Sequence, residues 1–423
     1  MDRGRELVRS LEWSFTHRAL RLSGKAWFGL GRAGNGGPIN PNNVERVLVV
    51  RPDEIGDVIL TTPFLRELRR NLPDARITLL VRPAIRNLVE LCPYVDEVLT
   101  YEPAVSRYWR PIQATSRALR LAREHLWKGR YDLAIAPRWD VDSYYGSMVT
   151  FLSGARQRLG YSEQVTEEKN RLNAGLDRLF THVIDGGGRK HEVEKNLDLI
   201  ASMGGTVEQD RLELWFGEAD ELCADRILER HGVNDDDLLI AAAPGAGHPK
   251  RMWPISNFIE LGKWFKGNCR GFLVVVGSKE EEQLGDELES RLGTTVINAV
   301  GRTSLREAGA LLKRCQLFVG NDAGPMHLAA AAGLPVIEIS CHPLGGSTGH
   351  VNSPARFGPW RVPQIILRPA KALDPCSDAC ISHMAHCIQG VSVEQVKDAM
   401  TTLLRPPDLA AASKRYQHLF GQE

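Results

Sequence analysis

The sequence predicts an α/β fold with two doubly wound parallel-sheet domains that face a central cleft. Short apolar, β-branched runs alternate with amphipathic helical patterns from residue 44 onward. That order produces a parallel sheet covered by helices on both faces. The same alternation restarts near residue 238. The 423 residues also suit two domains of roughly 150–200 residues better than one core.

Composition narrows the classes of function. A hydrophobic fraction of 43% and a charged fraction of 25% are ordinary for a globular protein. The net charge of +1 provides no global field for nucleic acid, so no nucleic-acid partner is predicted. No apolar run reaches the roughly 18 residues of a membrane span, and no secretory signal is recognisable. Five of the eight cysteines are scattered singly, which favours a reducing cytoplasm.

Residues 1–43 are predicted to form a basic amphipathic extension and a linker. Leucine and aromatic residues interleave with arginines over residues 1–32, and "AGNGGPINPNN" follows. A basic amphipathic helix can lie on an anionic membrane surface. The alternative is a helix docked on the protein itself.

Residues 44–205 are predicted to form the first domain. Its strands are read from four apolar runs, "RVLVV", "ARITLLV", "VDEVLTY" and "YDLAIAP". A helix over 61–71 should turn Leu65 and Leu68 inward, and another over 112–127 should bury a stripe that includes Leu119. A third helix should end near residue 205.

Residues 206–390 are predicted to form the second domain, and 391–423 a C-terminal helix that crosses back to the first. The second set of strands is read from "DLLIAAAP", "GFLVVVG", "TVINAVG", "QLFVGND" and "PVIEIS". Ser392 is predicted to be the N-cap of the final helix.

The segment "VGNDAGPMHLAAAAGLP" ends a buried strand and opens a small-residue helix. Gly324 allows a ligand to approach the backbone, and Pro325 suits the first helical turn. Free N–H groups at such a helix start bind phosphate, and His327 can add a donor. Asp322 lies at the carboxyl end of the strand. The alternative is an ordinary capped helix with a satisfied core histidine.

The loop "AAAPGAGHPKRMWP" follows another buried strand. Its small residues, Ala246 and Gly247 among them, together with Lys250 and Arg251, suit a diphosphate. The spacing is not that of a Walker A loop, so nucleotide hydrolysis of that type is not supported. The alternative is a solvated basic loop.

The turn "RPDEIGD" follows the first predicted strand. Gly56 frees the backbone there, and Asp57 is either a catalytic carboxylate facing the cleft or a plain helix N-cap. Residue chemistry alone leaves both readings open. Asp53 and Glu54 are interpreted as turn and rim residues without a role in the reaction.

These three motifs, in this order, resemble glycosyltransferase family 9, the bacterial heptosyltransferases. The likeness covers roughly residues 44–405 and includes "RVLVVRPDEIGDVILTTPFLRELRR", "PGAGHPKRMWP", "GRTSLREAGALLKRCQLFVGNDAGPMHLAAAAGLPVIEI" and "SPARFGPW". The resemblance implies a GT-B fold of two Rossmann-like domains. It also implies transfer of heptose from ADP-heptose to a lipopolysaccharide inner-core or lipid A precursor acceptor, with inversion and without a catalytic metal.

The resemblance assigns roles to the motif residues. Asp57 matches the proposed general base. Donor binding is assigned to Ala246, Gly247, Lys250, Arg251, Asp322, Ala323, Gly324 and His327, with Thr303 near the adenine pocket. Ala323 replaces a common Thr or Ser. Lys279 aligns with an acidic ribose contact of some members, which leaves the donor open. A different nucleotide sugar or a protein acceptor is the alternative, and a non-catalytic sugar-nucleotide-binding protein is a further one.

The residues that would contact the acceptor are less clearly marked by motifs. Gly56, Arg82 and Arg138 are predicted acceptor contacts, and Asp140 also follows a strand end, although structural surface charge explains them equally well. Near the C-terminus, "DPCSDACISHMAHC" groups Cys376, Cys380 and Cys387 with two histidines. The interpretations are a structural zinc or iron site, as in some family members, or reduced thiols or a local disulfide.

Overall fold

The computed structural model describes residues 38–103, 110–188, 190–350 and 352–404. The basic segment 1–32, with both of its interpretations, and residues 405–423 lie outside them. The chain divides into two compact units, Met1–Asp210 and Arg211–Glu423. Each unit contains one six-stranded parallel sheet, so the prediction of two doubly wound α/β domains is confirmed.

The first sheet has the strand order β3-β2-β1-β4-β5-β6. Its strands are β1 Arg46–Val50, β2 Arg76–Val81, β3 Glu97–Thr100, β4 Leu133–Ala136, β5 Gln157–Tyr161 and β6 His182–Ile184. Val47 pairs with Ile77 on one side and Leu133 on the other, so β1 is central and buried on both faces. The order of the strands reverses between β1 and β4, the position at which such sheets bind ligands.

The second sheet repeats this pattern, with the order β12-β11-β10-β7-β8-β9. Its strands are β7 Leu238–Ala243, β8 Gly271–Val275, β9 Val296–Asn298, β10 Leu317–Asn321, β11 Val336–Ile339 and β12 Gln364–Leu367. Here the order reverses between β7 and β10, which pair in parallel from Leu317 opposite Ile240. Loops after these two strands therefore meet at one edge of the sheet.

Helices cover both sheets. In the first unit they are α1 Ile55–Ile59, α2 Thr62–Asn71, α3 Arg86–Val89, α4 Arg110–Leu121, α5 Trp127–Gly129, α6 Gly146–Leu152, α7 Glu167–Leu172 and α8 Glu192–Ser202. In the second they are α9 Glu218–Arg230, α10 Ile255–Asn268, α11 Glu282–Leu292, α12 Leu305–Leu312, α13 Gly324–Ala331, α14 Pro354–Phe357 and α15 Val393–Leu403.

Most helix predictions are confirmed, with one correction to the predicted 112–127 helix. Leu65 and Leu68 of α2 are buried as expected. The predicted 112–127 helix is confirmed as a continuous helical run, in which a π-helical turn over Ala122–Leu126 lies between α4 and α5. Leu119 is 43% exposed rather than part of the buried stripe.

The final described helix, α15, packs on the second sheet. Ser392 caps it as predicted, since its Oγ accepts a hydrogen bond from the Gln395 backbone N–H at 3.3 Å. The helix contacts α10 and β12 of the same unit. The predicted crossing of residues 391–423 back to the first domain stays a prediction, and residues 405–423 lie outside the described part. Within the described residues, no helix has the length and apolarity of a membrane span.

Candidate functional site

The segment after β1 is organised around a buried arginine that sequence analysis did not single out. Arg51 has no exposed surface and donates to the Pro137 carbonyl at 2.9 Å and to Thr61 Oγ1 at 3.1 Å. Its Nη1 lies 3.3 Å from Asp53 Oδ2, and its Nη2 lies 3.6 Å from Asp57 Oδ1. A buried guanidinium needs such partners, because five donors lose their water on burial.

Asp57 combines a capping contact with two ion pairs. It is the third residue of α1, and its Oδ2 accepts a hydrogen bond from the Glu54 backbone N–H at 3.3 Å. Its Oδ1 lies 3.3 Å from Arg138 Nη1. The N-cap position itself belongs to Glu54, so the plain N-cap reading of Asp57 is wrong. One carboxylate oxygen faces the helix backbone and the other faces Arg51 and Arg138.

Asp53 completes a cluster of four charges with Arg51, Asp57 and Arg138. Its Oδ1 lies 3.2 Å from Arg138 Nη1, and only 3% of the residue is exposed. Asp53 is therefore a buried residue of the turn and not part of an exposed rim. Burial raises the pKa of Asp53 to about 6, although Arg51 and Arg138 act in the opposite direction. Sequence analysis missed it because its partners come from the ends of two different strands.

A buried lysine fixes the segment that carries Arg138. Lys169 Nζ donates to the carbonyl oxygens of Trp139 at 2.9 Å and of Arg138 at 3.3 Å. Burial lowers the pKa of Lys169 to about 8. Arg138 also donates from Nε to the Val141 carbonyl at 3.1 Å. Its guanidinium is thus held from both the backbone and the two carboxylates.

The predicted acceptor residue Arg82 lies at the end of β2. Its Nη1 lies 3.0 Å from Glu54 Oε1, and its guanidinium lies 5.4 Å from the ring centroid of Tyr144. The Tyr144 hydroxyl donates to the same Glu54 oxygen. Glu54 is exposed, as predicted for a rim residue. Gly56 lies in α1 beside Asp57, and Arg82 contacts Glu54, the N-cap of the same helix. The structure therefore brings the predicted residues Gly56, Asp57 and Arg82 together around the start of α1.

In the second domain, Asn321 joins the two predicted donor segments. Its Nδ2 donates to the carbonyls of Pro244 at 2.8 Å and Gly245 at 3.2 Å, and its Oδ1 accepts from the Trp253 backbone N–H at 2.9 Å. The side chain comes from the end of β10, and its partners flank the loop after β7. The two motifs therefore meet where the strand order reverses, as predicted for a ligand site.

The charged residues of these motifs also meet. Arg251 Nη1 lies 3.7 Å from Asp322 Oδ2. Burial raises the pKa of Asp322, and Arg251 opposes that shift. Helix α13 begins at Gly324 with Ala323 as its N-cap, and the buried His327 lies in its first turn. The arrangement offers a cation, a carboxylate and the positive end of a helix dipole.

The remaining predicted donor residues occupy neighbouring positions. Gly247 is close to Arg251, since a Cβ added at Gly247 would lie 3.3 Å from Arg251 Nη2. Lys279 follows β8 and is exposed, and Thr303 follows β9 with its Oγ1 3.5 Å from the Ala299 carbonyl. Ala246 lies between Gly245 and Gly247 in the β7 loop. All these positions lie just after the carboxyl ends of β7, β8 and β9 in the second sheet.

Glu338 is a titratable residue near this site that sequence analysis overlooked within "PVIEIS". It lies on β11 opposite Gly320 and is 1% exposed. Burial, reinforced by the nearby Asp322, raises its pKa well above the ordinary value. Its position inside an apolar strand gave no sequence signal, because an isolated acid in a short strand resembles a surface residue.

The cysteine cluster forms a compact set of possible metal ligands. One ligand atom from each of Cys376, Cys380, His386 and Cys387 lies within 4.8 Å of the others. His386 Nδ1 is 3.6 Å from Cys376 Sγ and 3.5 Å from Cys387 Sγ. All eight cysteines, each within the described part, are free thiols. The histidine that joins the cluster is His386, whereas His383 lies beside His248, with ring centroids 6.3 Å apart.

The two distances from His386 to cysteine sulfurs match those expected around a tetrahedral ion. Zinc bonds of about 2.3 Å to sulfur and about 2.0 Å to nitrogen, at a tetrahedral angle, separate S and N by about 3.5 Å. The observed Sγ to Nδ1 distances have this length. Soft thiolates with one imidazole suit zinc or iron.

Comparison with known proteins identifies the family. The sequence profile of glycosyltransferase family 9 (heptosyltransferase) matches residues 119–379, more than half of the chain. The chain belongs to glycosyltransferase family 9. This family-9 protein is 33% identical over 301 residues to lipooligosaccharide heptosyltransferase 2 of Haemophilus influenzae, covering 69% of this chain and 82% of that protein.

Further relatives agree with the assignment. The family-9 chain is 25% identical over 300 residues to lipopolysaccharide heptosyltransferase 3 of Escherichia coli, covering 70% of this chain and 82% of that one. The solved structure of Escherichia coli ADP-heptose lps heptosyltransferase II superposes with a TM-score of 0.62 at 20% identity, covering 85% and 98% of the two chains. The GT-B fold and a glycosyltransferase activity follow for this family-9 enzyme.

Proposed function

We propose that the enzyme transfers heptose from ADP-heptose to a lipopolysaccharide inner-core or lipid A precursor acceptor. The observation that carries the proposal is the meeting of a basic loop, an aspartate and a helix start at the β7–β10 edge of a family-9 enzyme. The names of the curated relatives supply the sugar and the acceptor class, since both are heptosyltransferases of lipopolysaccharide or lipooligosaccharide.

In the proposed reaction, Asp57 is the general base. An acceptor hydroxyl oxygen attacks the anomeric carbon of the donor, and its proton passes to a carboxylate oxygen of Asp57. The bond from the anomeric carbon to the diphosphate oxygen breaks, ADP leaves, and the configuration inverts. Arg51 and Arg138 hold the Asp57 carboxylate in one orientation, since both lie within 3.6 Å of its Oδ1.

The donor diphosphate is proposed to bind at the second sheet. Lys250 and Arg251 would offset the charge that develops on the leaving group, together with the N–H groups at Gly324 and His327. Ala246, Gly247 and Ala323 leave room for phosphate oxygens. Lys279 and Thr303 would contact the nucleoside. No metal is required for this step, because cationic side chains and a helix start supply the positive field.

The acceptor is proposed to contact the first domain. Gly56 allows close approach beside Asp57, and Arg82 and Arg138 supply cations suited to the phosphates or hydroxyls of a core saccharide. Arg138 is 21% exposed at its side chain, so pairing with Asp53 and Asp57 leaves part of it accessible. An acceptor attached to lipid A would place the enzyme on the cytoplasmic face of the inner membrane. The basic residues 1–32 would then contact anionic lipid.

The cluster of Cys376, Cys380, His386 and Cys387 is proposed to hold a structural zinc or iron ion. The support is the closeness of the four ligand atoms, which lie within 4.8 Å of one another, and the burial of all three cysteines. Such an ion would cross-link a loop and stabilise the fold, because binding energy adds to folding energy. It would not contact the reacting atoms.

The general-base proposal is tested by Asp57→Asn, with Asp74→Asn, an exposed carboxylate, as the matched control. Transfer is measured by mass spectrometry with truncated core acceptors. We expect kcat to fall by at least about 10²-fold for Asp57→Asn while ADP affinity is unchanged, and the control to match the wild type. Near-normal turnover of Asp57→Asn would exclude this base.

The donor is tested with a panel of sugar nucleotides. ADP-heptose should stabilise the wild type more than UDP- or GDP-sugars in thermal shift, because a ligand that binds only the folded state raises its stability. A larger shift with a UDP- or GDP-sugar would replace ADP-heptose as the donor and leave the Asp57 test intact.

A further inference from the structure

The Cys3His cluster, formed by Cys376, Cys380, His386 and Cys387, touches the proposed diphosphate loop directly. Lys250 Nζ donates to the Cys380 carbonyl at 3.1 Å. Cys380 is itself one of the four clustered ligands. A residue proposed to bind the donor is therefore held by the backbone of a residue proposed to bind a metal.

A second contact joins the same two segments independently. Trp253, which ends the diphosphate loop, donates from its indole Nε1 to the Val391 carbonyl at 2.8 Å. Val391 lies four residues after Cys387 and follows the short 3-10 turn Cys387–Gly390. Trp253, the three cysteines and Val391 belong to one buried hydrophobic cluster. The loop is thus fixed at Lys250 by Cys380, within the cysteine-rich segment, and at Trp253 by Val391, just after it.

The chemistry of lysine makes this anchor useful. An ammonium has three N–H donors, so a hydrogen bond to the Cys380 carbonyl leaves two for a phosphate. Fixing a long side chain before the ligand arrives reduces the entropy lost on binding. The segment from Cys376 to Cys387 contains no helix or strand, and its only regular element is the 3-10 turn that begins at Cys387. Backbone hydrogen bonds of regular structure therefore do not fix it. Its ability to hold a carbonyl in place then depends on the cluster.

We propose that metal occupancy of the Cys3His cluster controls donor affinity by fixing the Cys380 carbonyl that positions Lys250. This inference rests on the proposed diphosphate site and on the proposed structural ion. The ion does not touch the donor. It holds four side chains of one loop together, and the loop holds Lys250. Binding of a nucleoside diphosphate and of the metal are then coupled.

The coupling is measured on the full-length enzyme. Metal content is determined by elemental analysis, and the protein is stripped with a chelator and reloaded with Zn²⁺. Isothermal titration then gives the ADP affinity of both forms. We expect the stripped form to bind ADP about 10-fold more weakly, as for losing one charge-assisted contact, and Zn²⁺ to restore it. Cobalt substitution should give the visible absorption of a tetrahedral thiolate site.

Coupling is reciprocal, which supplies a second readout. Saturating ADP should raise the Zn²⁺ affinity, measured by competition with a chromophoric chelator, by the same factor. In Lys250→Met, ADP should bind about 10-fold more weakly, and stripping the metal should have no further effect. Cys223→Ser, a half-buried thiol outside the cluster, is the matched control and should behave as the wild type.

The outcomes are distinguishable. Equal ADP affinity of the stripped and reloaded forms, with weaker binding in Lys250→Met, would overturn the coupling but keep the diphosphate site. Failure of the chain to take up Zn²⁺ or iron would overturn both the ion and the coupling. Absence of ADP binding to the reloaded wild type would overturn the proposed donor site itself. Circular dichroism of the stripped form checks that its fold persists; global unfolding would overturn the local coupling.

Discussion

Replacing Arg51 with methionine tests the charged cluster of the first domain. The substitution keeps an apolar stem but removes a guanidinium that is fully buried and lies 3.3 Å from Asp53 and 3.6 Å from Asp57. It also removes the donors to Thr61 and Pro137. Removing one partner of a buried ion pair costs about 3–5 kcal/mol, because the remaining charge stays buried without compensation.

The expected change is large enough to measure by melting. For a unit of this size, each kcal/mol lowers the midpoint by about 2–4 °C, so Arg51→Met should lower it by about 6–20 °C. Arg156→Met is the control, because its side chain is 86% exposed and lies 3.8 Å from Asp132; its effect should stay below about 1 kcal/mol.

A double substitution separates lost packing from uncompensated charge. Adding Asp53→Asn to Arg51→Met neutralises the buried carboxyl and should recover part of the stability. The reasoning is refuted if Arg51→Met costs less than about 1 kcal/mol, or if the double variant is no more stable than the single one.

Two further predictions follow from the same structure. Lowering the pH through about 6 protonates Asp53, which ends its ion pairs with Arg51 and Arg138, so kcat/KM should fall. The kcat/KM of Asp53→Asn should stay constant over this pH range, at the lower value that the wild type reaches in acid. If Asp53→Asn shows the same fall in kcat/KM with decreasing pH as the wild type, the assignment to Asp53 is contradicted. Ser392→Ala should destabilise the second domain by about 0.5–2 kcal/mol in urea titration through loss of the α15 cap; no change would show that the cap is dispensable.

The sequence predicted nine of the twelve strands in the described residues and missed β5, β6 and β12. β7 is a continuous apolar run, and β1 and β10 are apolar over most of their length, as is typical of buried parallel strands. β5 was missed because Arg158 interrupts its pattern. In the fold that arginine is buried and donates to the Leu179 and Ala155 carbonyls, both at 2.7 Å, so a charged residue serves as a core residue.

The candidate site was predictable where motifs are local. The residues after β7 and β10 could be named from their loops, whereas the role of Asp53 depends on Arg138, 85 positions away. The choice between His383 and His386 likewise required distances, because both lie within the same cysteine-rich segment. Sequence spacing cannot supply such contacts between distant or irregular segments.

The shared strand order of the two sheets has a consequence for how such an enzyme can diversify. The proposed reacting groups follow β1, β4, β7 and β10, which have a neighbouring strand on each side. The edge strands β3, β6, β9 and β12 have a neighbouring strand on one side only, so the connections that follow them are less constrained. We expect insertions there to alter substrate preference while the central positions stay fixed, so new specificities can arise without rebuilding the chemistry.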